Sequence, residues 1–259
     1  MPFQNFAAFS AATSISLFFA MLLFLELGRR LGLRHAALSA NAGPTGVSVV
    51  DGAVFGLFSL LIGFTFSGAA ARFESRRALI VQEVNAIGTA WDRIDVLHAE
   101  PQPAIRAGFR AYMDALLATF MDPAHARDPF NDPVAMAHAQ KDIWSLSVAA
   151  TITAEGDKAR MLLLPALNEM FGAVERERLA RRTHPPGVIY VMLGVAALAA
   201  SLFGGYAMSA NPKRNWMYIV GVAMAVSVTA YVILELETPR LGSIQVDAND
   251  LAQLRAKMQ

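Results

Sequence analysis

Four long apolar runs, each free of charge, constrain this chain more than any other feature of its sequence. Ala7 to Leu25 is closed by Glu26, Arg29 and Arg30, and Gly52 to Ala71 follows directly on Asp51. Gly187 to Ser209 follows Pro185 and Pro186, and Trp216 to Leu234 ends before Glu235. About twenty apolar residues rising ~1.5 Å each cross the ~30 Å hydrocarbon core of a bilayer. The runs therefore predict four transmembrane helices, two near each end, over about 7–27, 50–71, 187–209 and 216–234. With 55% hydrophobic residues the chain is too apolar for a water-soluble surface. A cleaved signal peptide is the rival reading of the first run, but signals open on basic residues and Met1 to Ala8 has none. Small residues recur where helices would touch: Gly52 and Gly56 form a GxxxG step, Gly63 and Gly68 follow, and Ala196, Ala199, Ala200, Gly204 and Gly205 line the third run. In lipid, close backbone approach takes over the role of the hydrophobic drive, so these residues read as packing surfaces.

From Arg72 to Pro186 the pattern changes to amphipathic. Ile80, Val84, Ile87, Trp91 and Ile94 follow one helical seam; Ile105, Phe109, Tyr112, Leu116 and Phe120 repeat it after Pro101 and Pro103. Leu163, Leu167, Met170 and Val174 form a later seam, and a further helix is expected around Ile143, Trp144 and Val148. Asp122-Pro123, Asp128-Pro129 and Asp132-Pro133 mark the longest irregular connection, because residues before proline avoid helical geometry. No strand alternation and no internal repeat is visible. The expected fold is an all-α integral membrane protein with an amphipathic helical domain over 72–186 between the second and third spans, and a tail over 235–259. Between Phe58 and Leu97 nothing breaks a helix, so the second span is expected to run on into the first amphipathic helix.

The remaining signals mostly exclude. A net charge of +1, from 22 basic and 21 acidic side chains, supplies no field to recruit nucleic acid. The absence of cysteine removes thiolate catalysis, iron–sulfur clusters and cysteine-type zinc sites. His35, His98, His125, His138 and His184 include no i, i+4 pair for a metal, and no nucleophile elbow or phosphate loop occurs. Neither a cofactor nor an enzymatic activity is expected. Glu74, Glu83, Asp92 and Asp95 lie near Arg76, Arg77 and Arg93 and read by default as exposed ion pairs along a helix. Asp51 reads as an N-cap at the membrane edge, with an ion-binding role at a pore mouth as the alternative. Orientation stays open: Arg29, Arg30, Arg34, Lys213 and Arg214 in the short connections favour a cytoplasmic side there, yet Arg72, Arg76, Arg77, Arg176, Arg178, Arg181, Arg182 and Arg240 flank the other side.

The stretch from Leu60 to Asn85, LLIGFTFSGAAARFESRRALIVQEVN, resembles the pore helix and following helix of the bestrophin family. The correspondence runs through Ile62-Gly63-Phe64, Arg72, the basic pair Arg76-Arg77 and Asn85 without a gap. Glu83 to Leu97, EVNAIGTAWDRIDVL, is closer still to a bacterial group described as bestrophin-like. Near the other end, Arg182-Thr183-His184-Pro185-Pro186 with Tyr190 is similar to the opening of the third bestrophin helix. Glu235-Leu236-Glu237-Thr238-Pro239 with Asp247-Ala248-Asn249-Asp250-Leu251 is similar to the proline and Asn-Asp-Leu signature after the fourth.

The resemblance implies a homopentamer in a bacterial inner membrane, with the helical middle in the cytosol and the second span lining an axial pore for small ions such as chloride. Gly56, Leu60 and Phe64 would form the neck, an apolar ring gating by dewetting, and Phe64 would offer its ring edge to an anion. Asp51, Arg72, Arg76, Arg77, Glu83 and Asn85 become pore-mouth or motif positions, and Pro239, Asp247, Asn249 and Asp250 a C-terminal motif. The chain departs from the family pattern in three places. Gly56 stands where a bulky neck residue is expected, Phe73-Glu74 replaces a tryptophan pair, and Pro239 lies further from Asn249. No acidic calcium clasp is visible. The competing reading is a non-conducting membrane scaffold or sensor that binds a partner through its helical middle.

Overall fold

A computed structural model of the protein describes residues 3–38, 47–121, 134–152, 157–183, 185–210, 216–237 and 249–258. Every element among them is helical: α1 Phe3–Leu38, α2 Val47–Asp92, α3 Gln102–Met121, α4 Val134–Ala150, α5 Asp157–Arg182, α6 Gly187–Ala207, α7 Trp216–Glu237 and α8 Asn249–Lys257, with short 3₁₀ turns at Arg93–Val96 and Met208–Ala210. The chain divides into two compact units, Phe3–Arg72 with Pro185–Thr238, and Phe73–His184 with Pro239–Gln259. α2 is one unbroken helix that contributes to both.

Among the described residues four helices are long and apolar enough to cross a membrane, over Ala7–Leu38, Gly52–Val96, Gly187–Ala210 and Trp216–Glu237. In the first unit α1 and α6 run the same way at backbone distance. A Cβ added at Gly28 would lie 1.9 Å from the Leu202 carbonyl oxygen, and one at Gly205 would lie 2.0 Å from that of Leu25. At Gly32 an added Cβ would meet the Ser209 hydroxyl at 2.3 Å and the Tyr206 carbonyl oxygen at 2.9 Å. The small residues of the third run are thus used for packing, and Ala197 and Ala200 are fully buried with them. Their partner surface is not apparent in the sequence. The stretch after Gly28 reads there as a connection, whereas α1 continues to Leu38 and carries its own GxxxG step, Gly28 to Gly32. No proline interrupts Arg29 to Leu38, and long arginine stems can reach water from a helix that projects past the hydrocarbon. α7 packs antiparallel to α1, with Met21 and Ile219 lining one shared groove and Ser14 and Ser227 another.

The second unit is built round one cluster of large apolar side chains. Ile87, Ile94, Ile105, Phe109, Tyr112, Leu163, Leu167 and Met170 are all fully buried in one cluster, so the three seams read from the sequence meet one another. Each such side chain contributes about 2 kcal/mol by leaving water. Trp91 sets its edge against Phe109 at 5.9 Å and is covered by the Arg106 guanidinium at 4.5 Å. Arg106 also pairs with Asp95, so that carboxylate is used across helices and not along its own. Pro165 lies inside α5 and removes the N–H that would pair the Met161 carbonyl, and separately the Leu162 carbonyl accepts from Arg93 at 2.7 Å. α8 joins this core through Leu251 and Met258, both fully buried.

Candidate functional site

Along α2 the stripe Gly56, Leu60 and Phe64 lies open. Leu60 is 53% and Phe64 67% exposed, whereas Phe58 on the inner face of the same helix is 5% exposed. The stripe extends at both ends, to Gly52 and to Ser67, through Gly63. At Gly52, Gly56 and Gly63 an added Cβ would meet nothing within 4 Å. The GxxxG step of α2 is thus unused within the described chain, in contrast to the small-residue surfaces of α1 and α6. Two hydroxyls on this helix are spent locally: Ser59 donates to the Phe55 carbonyl and Thr65 to that of Leu61, each at 2.8 Å. The side chains left on the open face, Leu60 and Phe64 above all, offer mostly hydrocarbon.

The charged motif positions separate by unit. Arg72 donates to Glu237 through Nε at 2.9 Å and through Nη2, fastening α2 to the end of α7 in the first unit. Glu237 lies inside the Glu-Leu-Glu-Thr-Pro motif, yet nothing in that motif named it as the partner of Arg72. In the second unit Arg76 is 4% exposed and donates to the carbonyls of Thr183 at 3.0 Å and Ala180 at 3.5 Å. It thereby adds a side-chain donor at the C-terminal turn of α5, where the Ala180 carbonyl also accepts from the Thr183 N–H at 3.2 Å. Arg77, its neighbour, is exposed and pairs with Glu74 at 3.9 Å along the helix, as the spacing predicts. Glu83 departs from that reading: at 1% exposure it is buried and not a surface ion pair, because it falls on the seam side of α2 between Ile80 and Ile87.

Asn85 is exposed and lines a groove of ≈ 460 Å³ between α2 and α8 in the second unit. Asp250 of the C-terminal motif lines the same groove, with Asp92, Gln253 and Lys257. Two motif positions from opposite ends of the sequence are thus brought together. Asn249 opens α8, while Pro239 and Asp247 lie outside the described residues. Asp51 does not cap α2, which already begins at Val47, and its side chain lies outside the described part of the chain.

Described residues that are helical in every element, with four helices apolar enough and long enough to span, define an integral membrane protein. The Bestrophin-like domain model matches residues 16–251, and the chain belongs to that family. A solved crystal structure, described only as that of a membrane protein carrying a point substitution, has a similar fold, with a TM-score of 0.57 over 94% of this chain and 95% of that one at 16% identity. At that identity the likeness concerns the fold alone. No curated protein matches the sequence.

Proposed function

We propose that this Bestrophin-like protein assembles as a homo-oligomer, a pentamer in keeping with the family resemblance, around an axial passage lined by the open face of α2, and that the passage conducts small ions such as chloride. The observation that carries this reading is the make-up of that face. Gly52, Gly56, Gly63 and Ser67 alternate with Leu60 and Phe64 on a surface that no other described helix covers. The exposed faces of α1 and α6 are built instead from Phe9, Phe19, Leu23, Val188, Val191 and Val195, as suits lipid. Glycine-rich faces in membranes serve close approach of another backbone or of a narrow passage. Leu60 and Phe64, one turn apart, supply two apolar levels at which such a passage dewets and closes. In this reading the second unit stands on the cytosolic side of a bacterial inner membrane.

Electron microscopy of the detergent-purified protein, with chloride flux from loaded vesicles, tests the reading. The expected result is a five-fold particle with a central opening, whose flux rises when Leu60→Ala or Phe64→Ala widens the neck without changing the size of the assembly. A monomer or dimer, or a folded pentamer with no flux, would return the protein to the non-conducting scaffold or sensor.

A further inference from the structure

Inside the first unit, α2 does not close onto its neighbours. The Phe55 ring seats on α6, where a Cβ at Gly204 would come within 2.9 Å of its Cζ. That ring is a spacer: one turn further along, the facing residues are the short Ser59 on α2 and Ala200 and Ser201 on α6. They leave a cavity of ≈ 330 Å³, walled on its other sides by Met21 of α1 and by Ile219 and Val222 of α7. The back of the cavity is core, since Met21, Phe58, Ala200 and Ser201 are each at most 5% exposed.

The chemistry of the wall selects the occupant. Ser59 donates to the Phe55 carbonyl and Ser201 to the Ala197 carbonyl, each at 2.8 Å, so both serine protons are used within their own helices. Apart from these serines and Tyr218 the lining side chains are apolar, Met21, Leu25, Phe58, Ile219 and Val222 among them, a poor match to the two to four polar partners an ordered water needs. An apolar cavity of ~150 Å³ already takes up a hydrocarbon the size of benzene, and this one is about twice as large. Its surroundings in the cell are lipid tails.

We propose that this cavity is a binding site for one acyl chain of a membrane lipid, which fills the space between α2 and the α1–α6–α7 wall. The site lies within one chain and does not depend on the passage proposed above; conduction can fail without affecting it.

The protein is reconstituted in phosphatidylcholine vesicles in which a fraction of the lipid carries a diazirine on one acyl chain. After illumination, adducts are mapped by peptide mass. Adducts are expected on Met21, Phe58 and Val222 as well as on the outward-facing Phe19 and Val191. Filling the cavity with Val222→Phe, or separately with Ile219→Phe, is expected to lower labelling of Met21 and Phe58 by about tenfold, the scale set by expelling roughly two buried methylenes. Labelling of Phe19 and Val191 stays unchanged in both variants and reports that the fold is retained. Labelling confined to the outward residues, or cavity labelling that survives both fillings in a folded protein, overturns the proposal.

Discussion

Arg76 and Arg77 adjoin in sequence and differ in almost everything else. One helical step of about 100° separates them, which is enough to turn Arg76 into the second unit and Arg77 toward water. Replacing Arg76 by Met leaves the carbonyls of Ala180 and Thr183 without this donor and is expected to cost about 2–3 kcal/mol. Replacing Arg77 by Ala removes a long, exposed pair and is expected to change stability by less than about 0.5 kcal/mol. Thermal unfolding of the two variants in one detergent checks the contrast, and equal losses would contradict it. A basic pair is visible in the sequence, but not which member is structural. Glu83 is the same case, since its position on the seam side of α2 outweighs the ion-pair spacing around it.

Helix against helix, the glycines sort by what lies opposite. Gly205→Val puts its Cβ against the Leu25 backbone and is expected to cost at least about 3 kcal/mol, read as loss of the monodisperse protein. Gly56→Ala and Gly63→Ala meet nothing within 4 Å and are expected to fold at least as well as the native chain. If those positions also line the passage, the same two variants alter flux. The docking of α8 has a pH dependence of its own. The hydrogen bonds from Arg255 at 2.7 and 3.0 Å, helped by its charge against slight burial, hold the Asp114 carboxyl below its ordinary value of 3.8. A lowered folded value stabilises above the unfolded pKa, and the contribution is lost as pH falls through the folded one. Both partners are partly exposed, so the effect is at most about 1 kcal/mol. Hydrogen exchange of α8 should quicken on acidification below 3.8, and Asp114→Asn should remove that step.

Each of the two units is held by contacts of its own kind, close glycine packing in the first and one cluster of large apolar side chains in the second. Leu251→Ala opens a hole in the apolar cluster and is expected to cost the second unit about 2–4 kcal/mol, while the ion pair of Arg72 with Glu237 in the first persists. Two-probe unfolding, with one probe in each unit, checks that the loss is confined. The spans and the seams were legible because each is a property of one helix: an uncharged apolar run has nowhere to go but lipid, and a 3.6-residue period marks the face that must be covered. By itself the sequence therefore determined that this is a four-span helical membrane protein with an amphipathic middle, and its motif order resembled the family to which the chain belongs. Which glycine step is filled and which stays open, that Arg72 finds Glu237, that Asn85 and Asp250 share a groove, and that Phe55 props open a cavity were decided only by the tertiary structure. Each depends on the distance between two helices remote in the chain, and no periodicity within either one encodes that distance.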